Sequence, residues 1–507
     1  MKFSPHHKYI FIEAVSFLSI LLFVYAAISK LLDFENFQVQ LGQSPLVGSF
    51  AGIISWAVPI IELLIAGLLL FSSTRFLALW AAFSLMTVFT AYIFIILNYS
   101  PFVPCSCGGI LEKMGWQEHF IFNLLFMILA AAGILILAGM MPKVHPISKP
   151  AALASAFTVT MLLSIGIVTL LFIASEDIIH HRNNFVRRFP KHPTASKKTI
   201  QLPHAAYYIA GYDKGQIYLG NRTEPLAVTI FDTSLVERKK IRIDLPKYNF
   251  SYTVPRLAVK PPYFYFSDGN VPCIFIGDTV SWKAELKMKE KAYFSILKPI
   301  DNNKAVIRAI DSKTKNNTLG LFTFSSSSTA LKLNGSLLQK QVDGIFDTDG
   351  SLLYNSQVDK IIYTYSYRNE FLIIDSKLGS LTSGHTIDTT SHAQVSVASI
   401  KSKNIKTLAR QPKLVNKLTA SFGSYLFVNA ALIGKYEPEI MWKQASIIDV
   451  YNLKENTYAF SFYVYNIEGR TMDEFVVLND RIVSLNGRHL TVEKLKTNYY
   501  KPFYPSR

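Results

Sequence analysis

Cys105 and Cys107 stand two positions apart in the run PCSCGG (104–109). A bond between them closes a small ring of strained geometry, and strain makes a disulfide easier to reduce. Such a pair suits reversible electron exchange; the plainer alternatives are an inert clip or two free thiols in a loop. Gly108 and Gly109 let the chain turn tightly and leave one face of the sulfurs open to a partner. The loop leads into WQEHFIFN (116–123), the predicted start of a helix whose N-terminal dipole favours a thiolate. There His119 is placed to take or return a proton. The third cysteine, Cys273 in VPCIFIG (271–277), reads as a buried strand residue. Two neighbouring cysteines cannot fill a four-ligand zinc site, so no metal is expected.

The second chemical feature is Glu62, inside the apolar run SWAVPIIELLIAGLLL (55–70). A carboxylate in hydrocarbon costs several kcal/mol unless it is neutral or paired, so Glu62 should face other helices and hydrogen-bond there. Pro59, one turn earlier, frees a backbone carbonyl nearby. The functional alternatives for Glu62 are a proton relay or a contact to a quinone-like ring; the structural one is a packing hydrogen bond. Lys30, in YAAISKLLDF (25–34), is expected to snorkel toward the membrane surface.

These residues need a membrane scaffold, and the composition supplies one. Half of the 507 residues are hydrophobic and only 17% are charged. Residues 1–175 carry 7 Lys and Arg against 6 Asp and Glu, so most of the net charge of +17 lies further along. Five stretches, 9–29, 51–71, 76–98, 118–140 and 152–174, are long and apolar enough to cross a bilayer as helices. The first has too long an apolar core and no cleavage site, which argues against a removable signal. Lys2, Lys8, Arg75, Lys143 and Lys149 share one side, cytoplasmic by the positive-inside rule. The connections 30–50 and 99–117 then face outward, as does everything after the fifth span. The cluster His180, His181, Arg182, Arg187, Arg188 and Lys191 opposes that orientation, but long domains translocate largely regardless of charge.

From about residue 200 the pattern changes to short runs of Val, Ile, Tyr, Phe and Thr broken by Gly, Asn, Asp and Pro. A recurrent phrase, an apolar strand ending in Asp or Asn before a polar turn, occurs at Asp232, Asp311, Asp375 and Asn466. Strand pairs every 35 to 50 residues over some 300 residues predict an all-β domain, a β-propeller of about six blades. A large sandwich or two small β domains are the alternatives. The expected division is a four-helix membrane domain over 1–145, a fifth span over 146–176, a basic linker over 177–200 and the β domain over 201–507. The β domain lacks HExxH, a phosphate loop and GxSxG. Its scattered basic excess points to anionic lipid headgroups or envelope polymers, not to nucleic acid.

The first 140 residues resemble the MauE/DoxX family of redox-associated membrane proteins. The resemblance rests on four spans, YAAISKLLDF, PIIELLIAGLLL with Glu62, and PCSCGG followed by GWQEHFIFN. It implies membrane-linked thiol or electron transfer, with Cys105 and Cys107 as the redox pair and Glu62 and Lys30 as family-like positions. A membrane quinone is the electron acceptor this suggests. Disulfide-forming membrane oxidases use CxxC and a second cysteine pair, whereas this chain has CxC and only Cys273 besides. The expectation is therefore a multi-pass protein of the bacterial inner membrane whose CxC exchanges electrons with a periplasmic thiol protein held by the β domain. The rival expectation is an anchored binding or sensing propeller with a structural CxC; a transporter-like bundle is the third.

Overall fold

The computed structural model describes residues 4–44, 47, 50–99, 115–140, 150–179, 183–190, 193–325, 328–400 and 405–496. The chain folds as two compact units, Met1–His181 with Val395–Pro412, and Arg182–Gln394 with Lys413–Arg507.

The first unit is built from α1 (Pro5–Leu32), α2 (Phe34–Gln43), α3 (Ala51–Leu70), α4 (Arg75–Tyr99), α5 (Trp116–Ala138) and α6 (Pro150–Ile179). All but α2 contain a stretch long and apolar enough to cross a membrane. Several hydroxyls inside these helices bond back to the preceding turn, as Thr87 does to the Phe83 carbonyl at 2.7 Å, and Ser84 and Ser164 pair between helices at 3.1 Å, whereas Ser16 Oγ is buried without a partner among the described residues. Large apolar side chains, among them Phe17, Leu21, Leu64, Ile121, Leu162 and Leu170, face outward, while Phe23, Leu69, Leu79, Ala130 and Ile134 are buried. An apolar exterior around an apolar core suits a hydrocarbon solvent: this is a multi-pass membrane protein. Helix α2 lies where the sequence suggested only a connection. Phe37 and Leu41, four residues apart, bury one side of a segment too short to span.

The second unit is a ring of six four-stranded antiparallel sheets, the predicted β-propeller. Blades I to V cover 207–242, 256–289, 294–334, 350–385 and 416–465. Blade VI joins the three strands of 474–495 to Thr194–Gln201, which pairs antiparallel with His489–Leu495. The inner strands are Tyr207–Asp213, Arg256–Lys260, Phe294–Pro299, Gly350–Asn355, Asn416–Phe422 and Glu474–Leu478, and each neighbours the next, with the sixth returning to the first. Between blades I and II the strands approach so closely that a Cβ on Gly211 would lie 1.9 Å from the Val259 carbonyl oxygen. Six apolar cores alternate with the blades, from Tyr208 and Phe264 between I and II to Leu219 and Leu490 between VI and I, and so complete the circle. The outermost strand of blade I, Glu237–Arg242, reads ERKKIR and is largely exposed. Cations there guard an open sheet edge against pairing with other chains, a role for part of the basic excess that anionic surfaces do not explain.

The β unit begins earlier than residue 201. Residues 183–190, read from sequence as part of a basic linker, are laid against blade V. The Arg187 guanidinium donates to Asp449 and Glu437, both at 2.7 Å, and to the Leu432 carbonyl at 3.0 Å. Arg188 stacks over Tyr458, and Phe189 lies parallel to Tyr463 at 4.5 Å.

The recurrent Asp phrase has a local cause. The carboxylates of Asp232, Asp278, Asp311 and Asp375 each accept backbone N–H groups two to five residues on, closing hairpin turns. Asn466 differs, donating from its side chain to the Lys443 carbonyl at 2.9 Å. The Ser380 N–H, followed by Gly379 and Lys377, holds the Asp375 carboxyl well below the usual carboxylate range. A depressed carboxyl contributes stability that is complete above its unfolded pKa near about 4 and is lost as pH falls toward the folded value. The β-sheet melting temperature should therefore hold steady down to roughly pH 5 and fall below roughly pH 4, and Asp375→Asn should blunt that fall in a circular-dichroism melt.

Candidate functional site

Cys105 and Cys107 lie outside the described residues. The other three residues singled out for chemistry, Lys30, Glu62 and His119, line one cavity of about 380 Å³ within the helical unit. Each helix presents a helical repeat to it: Leu22, Ala26 and Lys30 from α1; Ile54, Val58, Ile61 and Glu62 from α3; Trp116, His119 and Asn123 from α5. Helix α4 adds Met86, Phe89 and Tyr92, and α2 closes the wall with Phe37 and Leu41. The lining is apolar apart from a few side chains, as small-molecule sites are.

Glu62 is 1% exposed, and its Oε1 accepts from Lys30 Nζ at 2.6 Å. The expectation that Glu62 faces the bundle and hydrogen-bonds is met. The expectation for Lys30 is not. It turns inward, with Nζ also 3.4 Å from the Ala26 carbonyl and 5.9 Å from the centre of the Phe37 ring. The physical reason is charge. Lys30 is the only Lys or Arg between Lys8 and Arg75, so no other cation in the first two spans can neutralise Glu62. That count was available from sequence and would have found the pair.

Two polar atoms at this cavity are unsatisfied among the described residues, Glu62 Oε2 and His119 Nδ1. A buried acceptor without a donor is costly, and such atoms mark places where a bound group completes the hydrogen bonding. Helix α5 starts with Glu118 accepting from the Gly115 N–H at 2.9 Å, which fixes its first turn and hence His119. Asn123, one turn beyond His119, is buried in the same wall; sequence reasoning missed it because a lone Asn in an apolar helix has no motif around it. Tyr92 also reaches the wall, its hydroxyl 2.9 Å from Ser44 Oγ. Among the described residues no three His, Cys, Asp or Glu side chains gather as metal ligands. Cys273 is buried in blade II as a free thiol, its pKa pushed up to about 11 by burial.

The family model described as methylamine utilisation protein MauE matches residues 8–136, the segment that contains Lys30, Glu62, the CxC and His119. No curated protein matches the chain. Among solved structures, a putative exported protein of Bacteroides fragilis is 7% identical at TM-score 0.39, covering 63% of this chain and 99% of its own. The β-propeller domain of Cps50 (Swd1) from Myceliophteria thermophila is 8% identical at TM-score 0.35, covering 59% and 100%. A protein of unknown function from Bacteroides thetaiotaomicron is 9% identical at TM-score 0.37, covering 62% and 76%. The strand order within this chain, not these distant likenesses, defines its propeller. The protein thus joins a MauE-like helical membrane region to a β-propeller.

Proposed function

We propose that the protein is a thiol–disulfide carrier of a bacterial cytoplasmic membrane, in which Cys105 and Cys107 exchange electrons with a periplasmic thiol protein recruited by the propeller. The observation that supports this most is the Lys30–Glu62 pair facing the same membrane cavity as His119, on the helix that the CxC loop enters directly.

In the exchange, a partner thiolate attacks one sulfur of the Cys105–Cys107 disulfide, the S–S bond breaks, and a mixed disulfide forms. The partner's second thiolate displaces that sulfur. The partner leaves oxidised by two electrons, and Cys105 and Cys107 hold those electrons as thiols with two protons. His119, at the start of α5, is the group that moves a proton between the thiols and the cavity. The cavity suits a quinone ring in size and chemistry: about 380 Å³, apolar walls, an ammonium to donate and two unsatisfied polar atoms. A quinone there supplies a sink for two electrons and two protons. Lys30 donates a hydrogen bond to an oxygen in the cavity, Glu62 holds Lys30 in place, and the apolar lining excludes water.

The test is alkylation of membranes quenched directly from cells grown with the quinone pool held oxidised or reduced. Cys105 and Cys107 should shift together between blocked and modified forms, and Cys105→Ser or Cys107→Ser should each abolish the shift and leave the partner's thiols reduced. A single fixed state under both conditions would refute the carrier and leave an anchored binding propeller.

A further inference from the structure

Lys30 is paired within the membrane cavity, but the centre of the propeller holds several cations that are not. Three cross-blade contacts set the heights of the inner strands. Gly211 is level with Val259, Lys260 reaches both the Ile300 carbonyl and the Tyr354 ring, and Asn355 Nδ2 donates to the Gly423 carbonyl at 2.9 Å. Counting back along each strand puts Tyr208, Arg256 and Lys417 near one end of the channel. Lys298 comes two residues further in, about 7 Å at the rise of a strand.

Contacts tie this end together. Tyr208 accepts from the Leu257 N–H at 2.8 Å and lies under two guanidinium groups, Arg256 at 4.7 Å and Arg222 at 5.7 Å from its ring. Glu474 accepts from the Ile209 N–H at 2.8 Å and from Arg222 at 3.2 Å. That single carboxylate is occupied by Arg222. Arg256, Lys298 and Lys417, from the inner strands of three different blades, have no hydrogen-bond or ion-pair partner among the described residues. The hydroxyl of Thr419, two positions from Lys417 and so on the same side of the strand, is buried and unpartnered as well. Surrounding protein pushes the Lys298 ammonium down from its ordinary value; Glu474 opposes this and Arg256 adds to it. Lys417 and Arg256 are exposed, so their charged ends face the solvent at this end of the channel. Arg256 and Lys298 repel one another and Lys298 also loses solvation, a cost that an anion bound beside them removes.

We propose that this end of the propeller channel binds a small polyanion, one carrying two or more carboxylate or phosphate groups. Arg256 supplies a planar two-pronged donor, Lys298 and Lys417 supply point charges at two depths, and the Thr419 hydroxyl completes the set. Glu474 orders Arg222 and, by its own negative charge, disfavours ligands without concentrated charge.

The full-length protein in detergent is titrated by calorimetry with citrate and, separately, with inorganic pyrophosphate, each against sodium chloride at matched ionic strength. Saturable binding is expected for at least one of the two, and the arm that binds distinguishes a carboxylate from a phosphate ligand. Arg256→Gln and Lys298→Met should each weaken it about tenfold or more, the size of one lost charge-assisted hydrogen bond. Lys239→Gln with Lys240→Gln, which removes two charges from the outer edge of blade I, should leave it unchanged. If Arg256→Gln does not fold, Lys417→Gln takes its place. No saturable heat with either anion, the same response to chloride, or equal weakening by the edge variant would overturn the proposal.

Discussion

Lys30→Met is expected to destabilise the helical unit by about 3–5 kcal/mol, the usual consequence of stripping a buried ion of its partner. The carboxylate left behind is enclosed by apolar lining, and among the described residues Lys30 is the cation that pairs with it. Replacing both members, Lys30→Met with Glu62→Leu, should recover most of the loss, because well-packed apolar residues often match or exceed a buried pair in stability. The two outcomes separate packing from chemistry. If the pair only holds helices together, the double variant behaves as wild type in every respect. If it serves the cavity, the double variant is stable yet fails to cycle Cys105 and Cys107. Denaturation in mixed micelles gives the first quantity and the alkylation pattern the second. A single variant as stable as the parent would mean that the 2.6 Å contact contributes nothing.

Arg187→Met should be as damaging in the β unit. Arg187 is enclosed by Asp449 and Glu437, with the rings of Phe185 and Trp442 at 4.7 and 5.8 Å, and Trp442 itself donates to Glu437 at 2.9 Å. Burial works against the charge on Arg187, but the two carboxylates outweigh it and hold the guanidinium well above its ordinary pKa. Without it, two acids face each other in a buried pocket. The cost is again about 3–5 kcal/mol, which for a domain of this size lowers Tm by roughly 6–20 °C. The pH dependence gives a sharper check. Two buried carboxylates without a counter-ion have raised pKa values and bind protons more readily folded than unfolded, so the variant should gain stability as pH falls from about 7 to about 5. Arg187→Lys, which keeps the charge but loses the two-pronged geometry, should lie between variant and parent.

Much of this architecture is legible in the residues, and the gaps have physical reasons. The five spans follow from apolar runs that nothing but a membrane helix or a deep core can accommodate. The six blades follow from recurring hairpins, whose Asp residues at 232, 311 and 375 are kept by turn geometry rather than by chemistry. Thr194–Gln201 was not recognisable as a strand because TASKKTIQ is polar and mostly solvent-exposed; it is specified by the partner strand, far away in sequence. Helix α2 is equally quiet, with Phe37 and Leu41 too few to stand out beside 20-residue apolar runs. Of the candidate site, the carboxylate was visible and its cation was misassigned, since a Lys near the end of a span reads by default as reaching for water. The unpaired cations of the propeller were invisible for a different reason. Arg256, Lys298 and Lys417 are scattered through the chain, and only ring closure brings them to one place.

The seam of that ring also governs how the protein is made. Gln201 finds its partner in His489, almost three hundred positions further along. At ordinary translation rates the early strand therefore waits roughly 15–60 s for its mate to emerge. Through that interval five blades can assemble in succession, but the circle stays open and two sheet edges remain available to strangers. Completion is thus a late, all-at-once event, and chains interrupted before His489 should be the ones that quality-control proteases remove.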